Sequence, residues 1–301
     1  MLQKYISKLI LNLPPRTNTQ VIDLVLDGGA FNGSYLAGAM LFLKTMEQHA
    51  YIRVSNISGC SIGSVVALLY FANNLNLMRS TYASITHVFK TTHLLNIKHI
   101  LYNIIKSKLP EDICNIVNKR LYISYYNIQT GKQVVKCKYK TVNEILDTIY
   151  KSCFIPYIMD GNLCYKNKYI DGLMPYIFEP CNYKKIMYLD LLGKDKILDV
   201  MSIKNEKTNY HRILNGILDI HLFYIKNTTT SMCSYVNDWT ITHRYYYNFK
   251  WLISILIANS IYYYNRIISR MPAVDKTSVM NIIGKKIIEE VYIILLERYC
   301  L

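Results

Sequence analysis

Two short stretches of this chain combine glycines with residues able to start a reaction. The first is Gly59-Cys60-Ser61-Ile62-Gly63. A serine with glycine two positions to either side has the spacing of a nucleophile elbow, where the turn is too tight for side chains at the glycine positions and holds the hydroxyl in the open. A helix beginning behind Ser61 aims its free N–H groups and its positive dipole end at any anion formed there. The second stretch is Asp27-Gly28-Gly29-Ala30-Phe31-Asn32-Gly33. A loop of backbone N–H groups beside a nucleophile reads as an oxyanion hole, with Gly28, Gly29 and Ala30 as its donors. Together they describe acyl transfer through a covalent serine ester. Each stretch also matches ordinary glycine-rich turns, so the surrounding elements have to decide.

Val54–Ser58 is suited to a strand, and the apolar Ser64–Ala72 to a helix, which puts Ser61 in the turn between them. Val21–Leu26 reads as a strand running into Asp27, and Ser34–Glu47 has Leu36, Met40, Leu41 and Leu43 at helical spacing. Strand, glycine-rich loop and helix also begin a dinucleotide-binding unit. Here Ala30 takes the middle glycine's place, and no acidic residue ends a second strand about 20 residues on, where a ribose contact would need one. That second strand delivers Ser61 instead.

In this order the motifs resemble the patatin-like phospholipase family, and the resemblance extends over residues 20–200. It implies a three-layer α/β/α fold with a mostly parallel central sheet. It also implies a serine–aspartate dyad with no histidine, in a lipid acyl hydrolase acting on phospholipids or related esters, with no cofactor and no metal. The aspartate is expected in a later Asp-Gly pair, after a segment with a serine and a proline. Ser152-Cys153-Phe154-Ile155-Pro156 fits that segment, and Lys168–Ile170 leads to Asp171-Gly172. The resemblance therefore makes Ser61 the nucleophile and Asp171 the base, with Asp27, Asn32, Gly33, Gly59, Gly63 and Gly172 supporting the motifs. A carboxylate with an ordinary pKa of about 3.9 is a weak base, so Asp171 is expected to gain basicity from burial. The chain departs from the family at three positions. Ala30 replaces a glycine, Asn32 stands where Lys or Arg is usual and removes a cation from the loop, and Leu173 follows Asp171-Gly172 where a small residue is common.

The remaining elements are cover. Two short helices are expected over Asn96–Lys106 and Asp112–Arg120. Leu121–Ile128 and Gln133–Lys138 should pair as a hairpin. Thr141–Ser152 should be a helix with Thr141 as N-cap, Glu144 completing a capping box, and Val142, Ile145, Leu146 and Ile149 inward. Ile186–Leu192 reads as a buried strand. Residues 1–19 form a lead-in, 20–206 the core and 207–301 a helical extension packed on it. In the extension, His211–Ile225 should turn Ile213, Leu214, Ile217, Leu218 and Leu222 to one side, and Lys285–Arg298 looks amphipathic. Trp251–Tyr264 is 14 residues without a charge, short of the ~20 that span a bilayer. It reads as a core helix, with an interfacial helix as the next alternative and a true span as the last.

The chain has 301 residues, is 51% hydrophobic and 18% charged, and carries a net charge of +15, which marks a globular protein rather than a disordered one. Lys and Arg are scattered and no zinc-finger or RNA-binding signature is present, so nucleic acid is not an expected partner. An anionic membrane surface is. The eight cysteines form no Cys-x-x-Cys pair and sit mostly in apolar runs, as reduced thiols do in a cytoplasmic protein. The N-terminal stretch has no small-residue cleavage site and makes a poor secretory signal. The location expected is thus cytoplasmic, peripheral on membranes. Two other readings compete. An α/β-hydrolase triad would join Ser61 to Asp171 or Asp190 and to His211, His221 or His243. A catalytically inactive membrane-binding protein would rest on the positive charge and the Trp251–Tyr264 helix.

Overall fold

The computed structural model describes residues 2–270, apart from 16, 17, 194, 205 and 207, together with 290, 293, 294, 296–298 and 300. Its centre is a sheet of seven strands: β1 (Gln20–Leu26), β2 (Ile52–Cys60), β3 (Leu121–Asn127), β4 (Lys132–Lys136), β5 (Tyr169–Ile170), β6 (Lys185–Leu189) and β7 (Cys233–Tyr235). The order is β4-β3-β2-β1-β6-β7, with β5 also on β3. The pairs β1–β2, β1–β6 and β2–β3 are parallel, while β4, β5 and β7 join antiparallel. The parallel strands read as near-continuous apolar runs because both of their faces are covered. Leu24, Leu26, Ile57, Ile123, Met187 and Leu189 are all fully buried.

The chain first steps from β1 to β2 and later returns on the other side of β1 as β6. The carboxyl end of β1 is therefore the point where the winding reverses, the place where sheets of this kind leave a crevice. The register pairs Leu26 with Gly59, so the loop after β1 and the turn after β2 must lie side by side.

Flanking the sheet are α1 (Leu2–Leu11), α2 (Gly33–Gln48), α3 (Ile62–Phe71), α4 (Leu77–Thr92), the short α5 (Ile97–His99) and α6 (Ile113–Val117), α7 (Val142–Ser152), α8 (Tyr210–Lys226) and α9 (Ile241–Arg270). Thr141 caps α7 as expected, its hydroxyl accepting from Glu144 N at 3.2 Å, while Glu144 Oε2 reaches one residue beyond the N-cap and accepts from Lys140 N at 2.7 Å. Helix α8 lies so close on α2 that a Cβ at Gly38 or Gly216 would collide with the other helix's backbone, at Ile213 and Tyr35 respectively. Only glycine permits that approach.

Two expectations for the extension change. On α8, Ile213, Ile217, Ile220 and Phe223 are buried, but Leu214, Leu218 and Leu222 are exposed, because the close crossing with α2 covers a narrower stripe than the apolar pattern offers. The core helix expected at Trp251–Tyr264 is part of the longer α9, and most of its large apolar side chains are exposed, Trp251 at 52% and Leu256 at 57%. Among the described residues no helix is long and apolar enough to cross a membrane. The amphipathic helix expected at Lys285–Arg298 lies mostly outside the described residues.

Candidate active site

Ser61 sits between β2 and α3 with φ 50° and ψ −130°. An L-residue in the left-handed half of the map is strained and persists only where its surroundings hold it there. The contacts that hold it are specific. Ser61 N donates to Ser152 Oγ at 2.9 Å, and Ser152 Oγ donates in turn to Ser124 O at 2.6 Å. Gly59, one residue before the end of β2, lies under the turn, where a Cβ would stand 2.7 Å from Gly63 O. Gly63 opens the path for the loop after β1, since a Cβ there would stand 2.7 Å from Asp27 O and Leu26 O.

Asp171 follows β5, and the segment that fixes Ser61 fixes it too. Asp171 N donates to Phe154 O at 2.9 Å and Gly172 N to Ser152 O at 3.2 Å. Residues 152–154 thus clamp nucleophile and carboxylate from one side. Asp171 Oδ1 accepts from Leu173 N at 2.8 Å, and Leu173 reaches that position with φ 58°. Oδ2 is buried and has no hydrogen-bond partner among the described residues. Burial pushes the carboxyl up to about 6, while the neighbouring Ser61 hydroxyl and the Leu173 N–H favour its charged form. The gain in basicity expected from burial is present.

The glycine-rich loop differs in detail from the sequence reading. The Gly28 N–H is taken by Asp27 Oδ1 at 2.9 Å, so it is not free for an oxyanion. Among the described residues, the N–H groups of Gly29 and Ala30 have no such partner. Ala30 adopts φ 39°, a conformation that glycine takes without strain and an alanine only at a cost. Gly28 itself lies against the nucleophile, where a Cβ would be 3.1 Å from Ser61 Cβ.

Asn32 does not face the site. It is fully buried at the start of α2, where Nδ2 donates to Leu191 O at 3.0 Å and Lys196 O at 2.8 Å. Its Oδ1 accepts from Arg212 Nη1 at 2.8 Å. A buried guanidinium therefore reaches the loop's base from α8, and Arg212 is itself held by Glu206 Oε1 at 2.7 Å. Gly33 follows as the first residue of α2.

Asp27 is the hub of a second buried network. Its Oδ2 accepts from Tyr188 OH at 2.8 Å and from Lys250 Nζ at 2.6 Å, and Lys250 also donates to Asp190 Oδ1 at 3.1 Å. Burial opposes the Lys250 charge, but Asp27 and Asp190 more than offset it and raise its pKa. Burial raises the Asp27 carboxyl, against the pull of Lys250. The sequence marks Ser152 only as part of the segment before Asp171, without its bond to Ser61, and does not single out Arg212 or Lys250 at all. The three lie 91, 180 and 223 residues from their partners, and no local pattern reports such contacts.

Beside Ser61 opens an apolar cavity of about 50 Å³, walled by Phe31, Ile62, Met78, Tyr82, Leu95 and Met159 among others. No histidine lines it. His211 approaches Glu206 at 3.3 Å, His221 packs on Phe42, and His243 bonds Thr240 at 2.8 Å, so a histidine triad is not assembled here. The arrangement presents a hydroxyl, a buried carboxyl, two free N–H groups and a greasy recess. Those are the parts that acyl transfer to and from serine requires.

A family model for patatin-like phospholipases matches residues 24–175. An omega-hydroxyceramide transacylase of Mus musculus is 25% identical over 172 residues, covering 52% of this chain and 27% of the relative. The 1-acylglycerol-3-phosphate O-acyltransferase Pnpla3 of Mus musculus is 27% identical over 137 residues, 43% of this chain and 33% of the relative. The matches thus span about a third or less of these relatives' own lengths. Among solved structures, the heterodimeric ExoU–SpcU complex from the type III secretion system of Pseudomonas aeruginosa aligns with a TM-score of 0.39 and 13% identity, over 86% of this chain and 61% of that one.

Proposed function

Because the chain belongs to the patatin-like phospholipase family, we propose that it cleaves lipid carboxylic esters through Ser61, with Asp171 as its base. The observation that carries this reading is the burial of Asp171 against a strained Ser61 at the mouth of an apolar cavity. Asp171 accepts the hydroxyl proton as Ser61 Oγ attacks the ester carbonyl. The N–H groups of Gly29 and Ala30 receive the oxygen that becomes negative, helped by the positive end of α3. Collapse of the tetrahedral intermediate expels the alcohol, which takes the proton from Asp171, and leaves the acyl group on Ser61. Water activated by the same carboxylate then releases the fatty acid.

The names of the two mouse relatives, a transacylase and an O-acyltransferase, favour a second fate for the acyl-serine, in which a lipid alcohol takes the place of water. Bond making and breaking at Ser61 are the same in both. One experiment tests the reading and separates the outcomes. The protein is incubated with acyl-labelled phospholipid, with and without a diacylglycerol acceptor, and the products are resolved as free fatty acid and new ester. Label appearing in either product with wild type but not with Ser61→Ala is the expected result. Label turnover that persists in Ser61→Ala refutes the assignment.

A further inference from the structure

Helix α9 runs 30 residues, about 45 Å, and it carries one stripe turned in to the protein and an apolar one turned out. Its inner stripe repeats at helical spacing through Tyr247, Lys250, Ser254, Ala258 and Ile261, and this stripe touches both loops of the site. Lys250 grips Asp27. Ala258, Ile261 and Tyr262 share a cluster with Ile170 and Leu173, which flank Asp171-Gly172. The outer stripe has the same spacing: Tyr245, Phe249, Leu252, Leu256, Tyr263 and Ile267, all exposed, Tyr245 at 71% and Phe249 at 60%. A broad apolar helix face is ordinarily turned to something apolar, and an exposed stripe of this length exceeds what a soluble surface normally leaves bare.

We infer that the outer face of α9 is a docking surface for an anionic lipid bilayer, holding the mouth of the site against its substrate; this rests on the lipid-ester reading above. Charge and composition select the occupant. From Ile241 to Arg270 the helix contains no Asp or Glu, and Arg244 and Arg266 stand at exposed positions, in a chain of net charge +15, so its outer side complements anionic lipid. Tyrosine and tryptophan (Trp251 at 52% exposure) are the side chains that settle at the headgroup boundary. A cationic helix with leucines, isoleucines and aromatic rings outward lies in that plane rather than crossing it.

The test uses the full chain, its Leu252→Asp/Leu256→Asp variant, and sedimentation with phosphatidylcholine vesicles, with or without phosphatidylserine. Both leucines are exposed and outside the site, so the variant is expected to keep the wild-type circular dichroism and its turnover of a soluble short-chain ester. Wild type should pellet with the phosphatidylserine vesicles, less so as salt rises. The variant's affinity should fall about tenfold per leucine, roughly 100-fold in all. The proposal is overturned if wild type stays in solution, if the variant pellets equally well, or if light scattering shows a wild-type dimer that the variant dissolves while neither binds vesicles. If wild type alone binds vesicles but neither protein cleaves any ester, the docking surface stands and the catalytic reading fails.

Discussion

Replacing Asp171 with Asn should remove catalysis and stabilise the fold at the same time. In the native protein the buried carboxyl has a pKa raised from 3.8 to about 6; in the unfolded chain it returns to its ordinary value. Between about pH 4 and 6 the native state therefore holds a proton that the unfolded state has released, and stability falls as pH climbs through that window. Above about 6 the full cost of a buried charge is in force. A gap of about two pKa units at about 1.36 kcal/mol each makes that cost about 3 kcal/mol. Asparagine has the same shape, keeps an oxygen for the Leu173 N–H, and offers an amide to Ser61 where Oδ2 had no partner among the described residues. The variant should thus melt about 5 °C above wild type at neutral pH, with the gap closing near pH 4. Thermal unfolding of both proteins across this range measures it. In the same range wild-type kcat/KM should rise with pH around a midpoint near 6, and be about tenfold below its plateau at pH 5. The reasoning is refuted if Asp171→Asn is less stable than wild type at neutral pH, if the gap ignores pH, or if the wild-type rate is flat through this region.

Ser61→Ala should lower kcat by several powers of ten, and adding Asp171→Asn should lower it by no more than about a further tenfold, because nucleophile and base act as one unit; single-turnover kinetics on a soluble ester distinguishes this from two independent losses. Asn32→Arg, which the sequence alone suggests would restore a helpful cation, should instead destabilise the protein by about 3 kcal/mol or more, since it places a second guanidinium beside buried Arg212; urea unfolding of the variant checks it. Met78→Ala, in the wall of the cavity beside Ser61, should cost about 2 kcal/mol of stability and move the preferred ester toward longer chains. The present volume is well below the ~300 Å³ at which ligand sites begin. Rates on a series of acyl lengths report the change.

Much of the site was legible in the sequence because it is built from local backbone constraints. Gly63 and the strand-to-helix turn at Ser61 announce themselves within five residues, and the Thr141 cap of α7 within four. The parallel pairing of β1 and β2 follows from strand–helix alternation, and with it the adjacency of Asp27 and Ser61. What the sequence could not supply was direction and cover. Gly28, Gly29 and Ala30 look equivalent as donors, and only the folded loop turns one of their N–H groups into Asp27. Asn32 reads as a missing charge until Arg212 and the carbonyls of Leu191 and Lys196 are brought around it. The apolar stripes of α8 and α9 reveal that each helix has greasy sides, yet periodicity does not say how many neighbours will arrive to cover them. Tertiary structure decides those points, because hydrogen-bond partners and burial depend on segments far apart in the chain, whereas a turn or a cap depends only on its own backbone.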